Sequence, residues 1–548
     1  MKRRLLLAGG LAAGGFVVLR DRLSALLPGR GFDTAVRHPG QHMGHRLREL
    51  TRPGAPPAAQ PPAQRKADVV IVGSGVAALS CAWALRRAGL DDFVMIDGPA
   101  PLGNAAWGSH PFSAYPRGAH YLPVPTRSSL HVREMLHDLG VLLEGPRDDA
   151  PLYDERCVVH AGVERVLHQG RWHAGILPPL APHSAAQRQW AAVQAAFGQM
   201  RALHDAQGRP AFEVPLALGA TLPSASRLDA QSFAGWLDAH GITDPLLRWY
   251  FDYSCRDEYG VEAALVSAWA GLHYFCVQRG QARHAEPGAV LTWPQGLGWI
   301  AHGLQGRLAP QQRMTGAALR VSRLAGQRGC RVTVLDEQGR LSALQARKVV
   351  VATPLFVARR LVPEHFDGLE QAPGPAMSPW LVANFFMRRF PAERPGEPLS
   401  WDNVVAGSSA LGYIVATHQA IRTALPAGTV LTAYHALGAA DNEARRRWAA
   451  QAPADELLAL AGADLDTAYG REWKRWCTGA ELTIHGHAMA VPAPGFLHEP
   501  LMRRARAALA DGQDVLFAHA DLSGYSVFEE ASYWGVQAAR GIAYGAPR

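Results

Sequence analysis

The chain has 548 residues, past the roughly 250–300 at which one core stops growing, so two or more domains or one large enzyme with interleaved parts are expected. With 48% hydrophobic and 19% charged residues it has a globular balance, which excludes disorder, collagen and a multi-span membrane protein. The net charge of +8 belongs to the leader: residues 1–66 hold 12 Lys+Arg against 3 Asp+Glu, the remainder sums to −1, and nucleic-acid binding through a broad basic field loses its support.

The start, MKRRLLLAGGLAAGGFVVLRDR, places a basic end before an uncharged stretch, Leu5 to Leu19, closed by Arg20. Fifteen residues suit a signal-peptide core better than a full membrane span of about 20. Arg3-Arg4 followed by Leu5-Leu6-Leu7 resembles the twin-arginine export signal, which carries proteins already folded around a cofactor. That resemblance implies the export machinery as a partner and a periplasmic location. The chain lacks the usual preceding Ser or Thr, and no clear A-x-A cleavage site follows, so the segment (residues 1–28) can also stay as an anchor in the inner membrane. The alternative is a cytoplasmic protein with an apolar N-terminal helix. Residues 29–66, with PGAPPAAQPPAQ near their end, read as a Pro-rich linker, since such a tract builds no core.

The next segment, ADVVIVGSGVAALSCAWALRRAGLDDFVMIDG (67–98), has the pattern of a dinucleotide-binding unit. Val69–Val72 form a buried parallel strand, Gly73-Ser74-Gly75 a turn, AALSCAWALRRAG a helix, and Phe93–Ile96 a second strand ending in Asp97. Gly73 allows the tight turn and Gly75 lets backbone approach a pyrophosphate at the helix N-terminus. Ala77 opens the helix, Ala78 permits close helix–strand contact, and Asp97 can accept hydrogen bonds from ribose hydroxyls.

Three later segments resemble the flavin amine oxidase superfamily, which includes carotenoid desaturases. Gly103-Asn104-Ala105 with YPRGAHYLP (Tyr115–Pro123) resemble the loop that runs past the pyrophosphate to the flavin ring. The resemblance makes Gly118, Ala119 and His120 cofactor contacts, although Leu102-Gly103-Asn104 stands where the family often has Gly-Gly-Arg. Residues 319–354 resemble the second FAD segment, with Val321 at an adenine contact and a strand Val349–Thr353 ending at Pro354. Residues 515–543 resemble the C-terminal FAD motif, with Asp521 and Gly524 in its loop and Val527 and Phe528 at the start of its helix.

The resemblance implies an α/β fold: a doubly wound Rossmann-like FAD domain in three parts (67–125, 286–375, 485–548) with an inserted α+β substrate domain in two (126–285, 376–484). It implies FAD as cofactor and hydride transfer from the C–H of an amine, possibly a polyamine, to flavin N(5). The competing readings are a desaturase or dehydrogenase for an apolar substrate, and a non-catalytic FAD-binding protein.

Within the inserts, Leu246–Gly260 sets five aromatics beside Asp252, Asp257 and Glu258, a combination that suits an organic cation and equally fits ordinary helix packing. The stretch WDNV (Trp401–Val404) is suggestive without an assigned role. HGHAMAVPAPG (His485–Gly495) resembles the Pro-rich turn beside the flavin in monoamine oxidases, which places His487 at the position of their flavin-tethering cysteine. His487 is thereby a candidate tether or proton carrier, and Tyr525 a partial replacement for the family's aromatic cage. The six cysteines are scattered without a C-x-x-C pair, so neither a zinc site nor any other metal centre is expected, and a disulfide cannot be assigned.

Overall fold

A computed structural model describes residues 32–52, 61–160, 162–394, 396–421, 424 and 426–545. The export signal or anchor assigned to residues 1–28 lies outside them. Among the described residues no helix is long and apolar enough to cross a membrane.

The segment assigned to the linker is in part ordered structure. Asp33–Arg37 form a strand, β1, and Gln41–Leu50 a helix, α1. The strand forms because its alternating residues add, in parallel, to the free edge of a sheet, while Phe32 and Val36 pack on the core behind it. Ala63–Lys66, also assigned to the linker, already belong to the next strand, β2 (Ala63–Val72).

From β2 the chain enters α2 (Val76–Arg87) and returns to β3 (Phe93–Ile96), parallel to β2. Further on, β4 (Glu164–His168) and β5 (Arg171–Ala174) form a hairpin, and a helical layer follows, with α3 (Ala185–Arg201), α4 (Pro245–Tyr259) and α5 (Ala268–Cys276) as its main members. The chain then supplies β6 (Arg313–Met314), β7 (Ala317–Arg323), β8 (Cys330–Leu335), β9 (Leu341–Val351) and the short α6 (Leu355–Leu361). A second group of strands comes next: β10 (Ala376–Met387), β11 (Asp402–Val405), β12 (Tyr413–Val415), β13 (Thr429–Ala436) and β14 (Cys477–Val491). The last elements are β15 (Val515–Phe517) and α7 (Phe528–Tyr544).

Two sheets organise these elements. The first runs β6-β3-β2-β9-β8-β7, with β15 also on β9; β3, β2, β9 and β15 are parallel and buried, as their continuous Val/Ile/Leu runs require. The second, of eight strands, runs β1-β14-β10-β13-β12-β11-β4-β5. Along β10 the side chains alternate: Leu381, Ala383 and Phe385 face a core capped by the helices of 442–469, whereas Trp380 and Val382 face a second cluster with Trp401 and Tyr434. The helical layer shares one continuous core with the first sheet, from Ile71 and Ala82 to Phe197, Phe251 and Leu272.

The boundary set at residues 484 and 485 falls inside a strand, because β14 pairs with β10 on both sides of it. Next to this boundary the pairing breaks between Trp380↔His485 and Ser378↔Met489. Pro379 sits opposite the break; it has no N–H to offer a ladder, so residues 486–488 bulge outward.

Candidate functional site

The ends of β2 and β9 meet so closely at Gly73 that a Cβ there would stand 2.5 Å from the Ala352 carbonyl oxygen, and its φ of 113° is also one that L side chains rarely adopt. Gly75 differs. It is the N-cap of α2 in extended conformation, and open space surrounds its Cβ position. No side chain caps α2, which leaves its first N–H groups for an anion. Ala77 and Ala78 are buried beneath α7, which approaches so closely at Gly535 that a Cβ would strike the Ala77 carbonyl.

Asp97, just after β3, is 7% exposed, and its Oδ1 has no hydrogen-bond partner. Burial raises its pKa, while Arg313, 3.5 Å from Oδ2, pulls the other way. The Ser74 hydroxyl donates to the Asp97 carbonyl at 2.6 Å and fixes the turn. An orphaned buried carboxylate oxygen, an uncapped helix and an open glycine together fit the ribose and pyrophosphate of a dinucleotide.

Gly103, Asn104 and Ala105 make one 3-10 turn, in which the Gly103 Cβ position lies 3.9 Å from the Gly75 Cα. The Asn104 carbonyl accepts from the Ala119 N–H at 2.8 Å, and a side chain at Gly118 would collide with that carbonyl. Asn104 Nδ2 donates to the Ala488 carbonyl, 2.6 Å away, which the β14 bulge has freed from the ladder. Val321 is fully buried in β7, the edge strand of its sheet, where half of the backbone polar groups face away from any neighbour. Val527 is the extended N-cap of α7 and Phe528 its buried first residue; this helix start is likewise without a side-chain cap. Asp521 turns elsewhere: its buried carboxylate accepts from the Leu355 N–H at 2.9 Å and so caps α6.

Beyond His120 opens a cavity of about 1100 Å³. The His120 ring stacks on Tyr434 at 4.4 Å, beside Tyr121 and Trp401, and burial pushes its pKa down to about 3, so it is neutral. Four carboxyls line the cavity: Glu164 on β4, Asp257 on α4 and Asp402 on β11, which electrostatics couples, and the exposed Glu286. Glu164 and Asp402 are register partners on adjacent parallel strands. Glu164, Asp257 and Asp402 are in no ion pair among the described residues. Burial, then repulsion from Glu164, pushes Asp257 up to about 7; burial and the other two acids raise Asp402 well above its usual range, and burial raises Glu164. Glu258 is pushed up to about 8 by burial and by Asp257. Arg279 at the cavity wall is the one cation whose field opposes this for Glu164 and Glu258.

The two residues expected to be catalytic are not in that cavity. Tyr525 is buried in the helical layer against His273 (4.8 Å), Phe496 (5.6 Å) and Tyr259 (5.7 Å), with its hydroxyl unpartnered. His487 is carried outward by the bulge, is exposed, and stacks on Phe356 of α6 at 4.6 Å. Desolvation and the charges of Arg446, His45 and Arg48 lower its pKa. Of the acids noted in α4, Asp252 accepts from the Ala263 N–H at 3.0 Å and caps a turn, while Asp257 reaches the cavity. Glu164 and Arg279 had no sequence signal, since their neighbours come from strands and loops far along the chain. Trp401 and Asp402 lie in the stretch that stood out without a role. All six cysteines are buried and free, and no group of three or more metal-ligating side chains occurs among the described residues.

Residues 71–139 match the sequence family described as NAD(P)-binding Rossmann-like domain. No curated protein matches the chain. Among solved structures, wild-type putrescine oxidase bound to putrescine is similar at 16% identity and a TM-score of 0.59, over 87% of this chain and 99% of that one. Cyclohexylamine oxidase from Brevibacterium oxydans IH-35A is similar at 17% identity and 0.61, over 87% and 98%. A fatty acid isomerase from P. acnes that produces CLA is similar at 13% and 0.56, over 86% and 97%. The chain therefore has a mixed α/β fold built on a Rossmann-like dinucleotide-binding domain, in the architecture it shares with these amine oxidases.

Proposed function

We propose that the protein is an FAD-dependent oxidoreductase that oxidises an organic amine. The observation that carries this reading is the set of three carboxyls, Glu164, Asp257 and Asp402, that line one cavity among aromatic rings with no ion-pair partner among the described residues. Acids set side by side without a counter-charge repel one another, and such clusters occur where a cation is to be held. Aromatic faces from Trp401, Tyr121 and Tyr434 add attraction for the same charge. A fatty acid, the substrate class named for one structural neighbour, would bring a carboxylate toward three acids, which argues against that reading.

FAD, when bound, supplies a two-electron acceptor for the substrate C–H. Asp97, the α2 N-terminus with Gly75, the Gly103–Ala105 turn and the α7 start at Val527 would hold it. The cavity residues prepare the substrate. An amine must lose its ammonium proton before its C–H can leave as hydride, and the Asp257 carboxyl, with a pKa near neutrality, is suited to accept that proton in a poorly solvated site. Neutral His120 and the stacked Tyr434 form the wall between the cavity and the loop that carries Gly118 and Ala119.

Anaerobic titration of purified protein with a panel of mono-, di- and polyamines tests the reading through loss of the yellow flavin absorbance. Bleaching by amines and not by fatty acids or alkenes supports it; bleaching by lipophilic substrates alone overturns it. The reading extends to location. A folded, FAD-loaded protein exported through Arg3-Arg4, and retained or not by its apolar leader, would be stranded in the cytoplasm when both arginines are changed to lysine.

A further inference from the structure

α1 spans a line of contacts along the dinucleotide cleft. At its start Gly40 lies against the loop that follows Asp97: a Cβ there would be 3.2 Å from the Cβ atoms of both Pro99 and Ala100. Midway, the Arg46 guanidinium packs on Gly339, in the turn between β8 and β9. Beside it His45, and toward the far end Arg48, lie within electrostatic range of His487 in the β14 bulge, and Arg48 also of Arg360 on α6. The helix thus reaches from the Pro99–Ala100 loop after Asp97 toward the ring stack of His487 on Phe356.

Two features of α1 are unexplained by the protein alone. None of its ten residues is buried, and none of their side chains forms an ion pair or hydrogen bond with the rest of the chain among the described residues. A helix this short gains little stability by itself, and the half-covered side with Met43, Gly44 and Leu47 lacks the packing that would hold it. The second feature is charge. Arg46, Arg48, Arg360 and Arg446 gather along this line, and no carboxylate pairs with any of them among the described residues. Such a group of cations lacks an anion, and the uncapped α2 and open Gly75, which suit one, adjoin the Gly103–Ala105 turn that Asn104 ties to Ala488 beside His487.

We propose that α1 is a wall of the cofactor site: the segment Asp33–Leu50 folds back as a strap over the bound dinucleotide, and Arg46, Arg48 and Arg360 supply the positive potential for its pyrophosphate. The proposal rests on the FAD reading above. In it, β1 is the fixed end of the strap, held on β14 and by the ion pair of Arg37 with Glu481, 2.5 Å apart, which Arg117 shares. α1 is the end that closes, and the cofactor is what its inner side packs on.

The test follows FAD release from purified holoprotein, by the fluorescence that free FAD regains after dilution. The double substitution Arg46→Ala/Arg48→Ala is expected to release FAD about tenfold faster than the unaltered protein, with weaker salt dependence. Limited trypsin digestion gives a second readout without any substitution: cleavage after Arg46 and Arg48 should be about tenfold slower with FAD bound than in the apoprotein. Release within about twofold of normal, together with cleavage that is indifferent to FAD, overturns the strap and leaves the cofactor reading standing. A protein that neither contains nor takes up FAD overturns both.

Discussion

Glu164 of β4 and Asp402 of β11 stand directly opposite each other in parallel register, two acids side by side on the wall of the cavity. Like charges so placed, once both carboxyls ionise at alkaline pH, destabilise a sheet by up to about 1 kcal/mol. Asp402→Asn is therefore expected to raise the thermal midpoint of the substrate-free protein slightly at alkaline pH while raising the KM for an amine. Paired melting curves and steady-state kinetics check both signs; a variant that melts lower and binds the amine normally would remove Asp402 from the substrate site.

The raised acids also make a prediction about pH. Asp257, with an ordinary value near 4, is pushed up to about 7 in the fold. Between those values the folded chain binds more protons than the unfolded one, so stability falls as pH rises and levels off above about 7. From pH 5 to pH 8 the loss from this one group is of the order of 2 kcal/mol. Urea unfolding of the substrate-free protein at both pH values should show it, and Asp257→Asn should flatten the slope.

Gly73 and Gly75 separate stability from cofactor binding. Gly73→Ala puts a Cβ into the Ala352 carbonyl at a φ of 113°, and is expected to cost about 1–3 kcal/mol of stability. Gly75→Val meets open space in the protein and should fold at close to normal stability. It fills the approach to the α2 N-terminus, so it should purify colourless. Retention of stoichiometric FAD by this variant would show that the phosphates bind elsewhere.

His487 is exposed on the bulge opposite Pro379 and does not line the cavity. Acid denaturation is expected to release all the flavin into solution, leaving none attached to the chain. His487→Ala should change the rate of flavin reduction by an amine by no more than about twofold, since substitutions remote from the reacting groups act weakly. Yellow fluorescence that stays on the denatured chain, or a far larger fall in rate, would return His487 to the chemistry.

The dinucleotide-binding unit was legible in the sequence because its physics is local: the turn at Gly73, the open glycine at 75, the helix start and Asp97 lie within one βαβ stretch of about thirty residues. Composition also singled out the aromatics and acids of α4, whereas the start of α7 was legible only through the resemblance of residues 515–543 to a C-terminal FAD motif. What only the tertiary structure decided is which of those side chains meet. Glu164, Asp257 and Asp402 come from a hairpin strand, a helix and a strand far along the chain, and a register between β4 and β11 that no spacing encodes turns them into one acidic wall. Pairing likewise overrode composition at the N-terminus, where an edge of β14 was free to take β1 out of what read as linker. It also overrode family position at His487, because Pro379 cannot donate to its neighbour and the strand bulges the ring away. Local pattern carries the elements, but a side chain's role depends on what long-range pairing sets beside it.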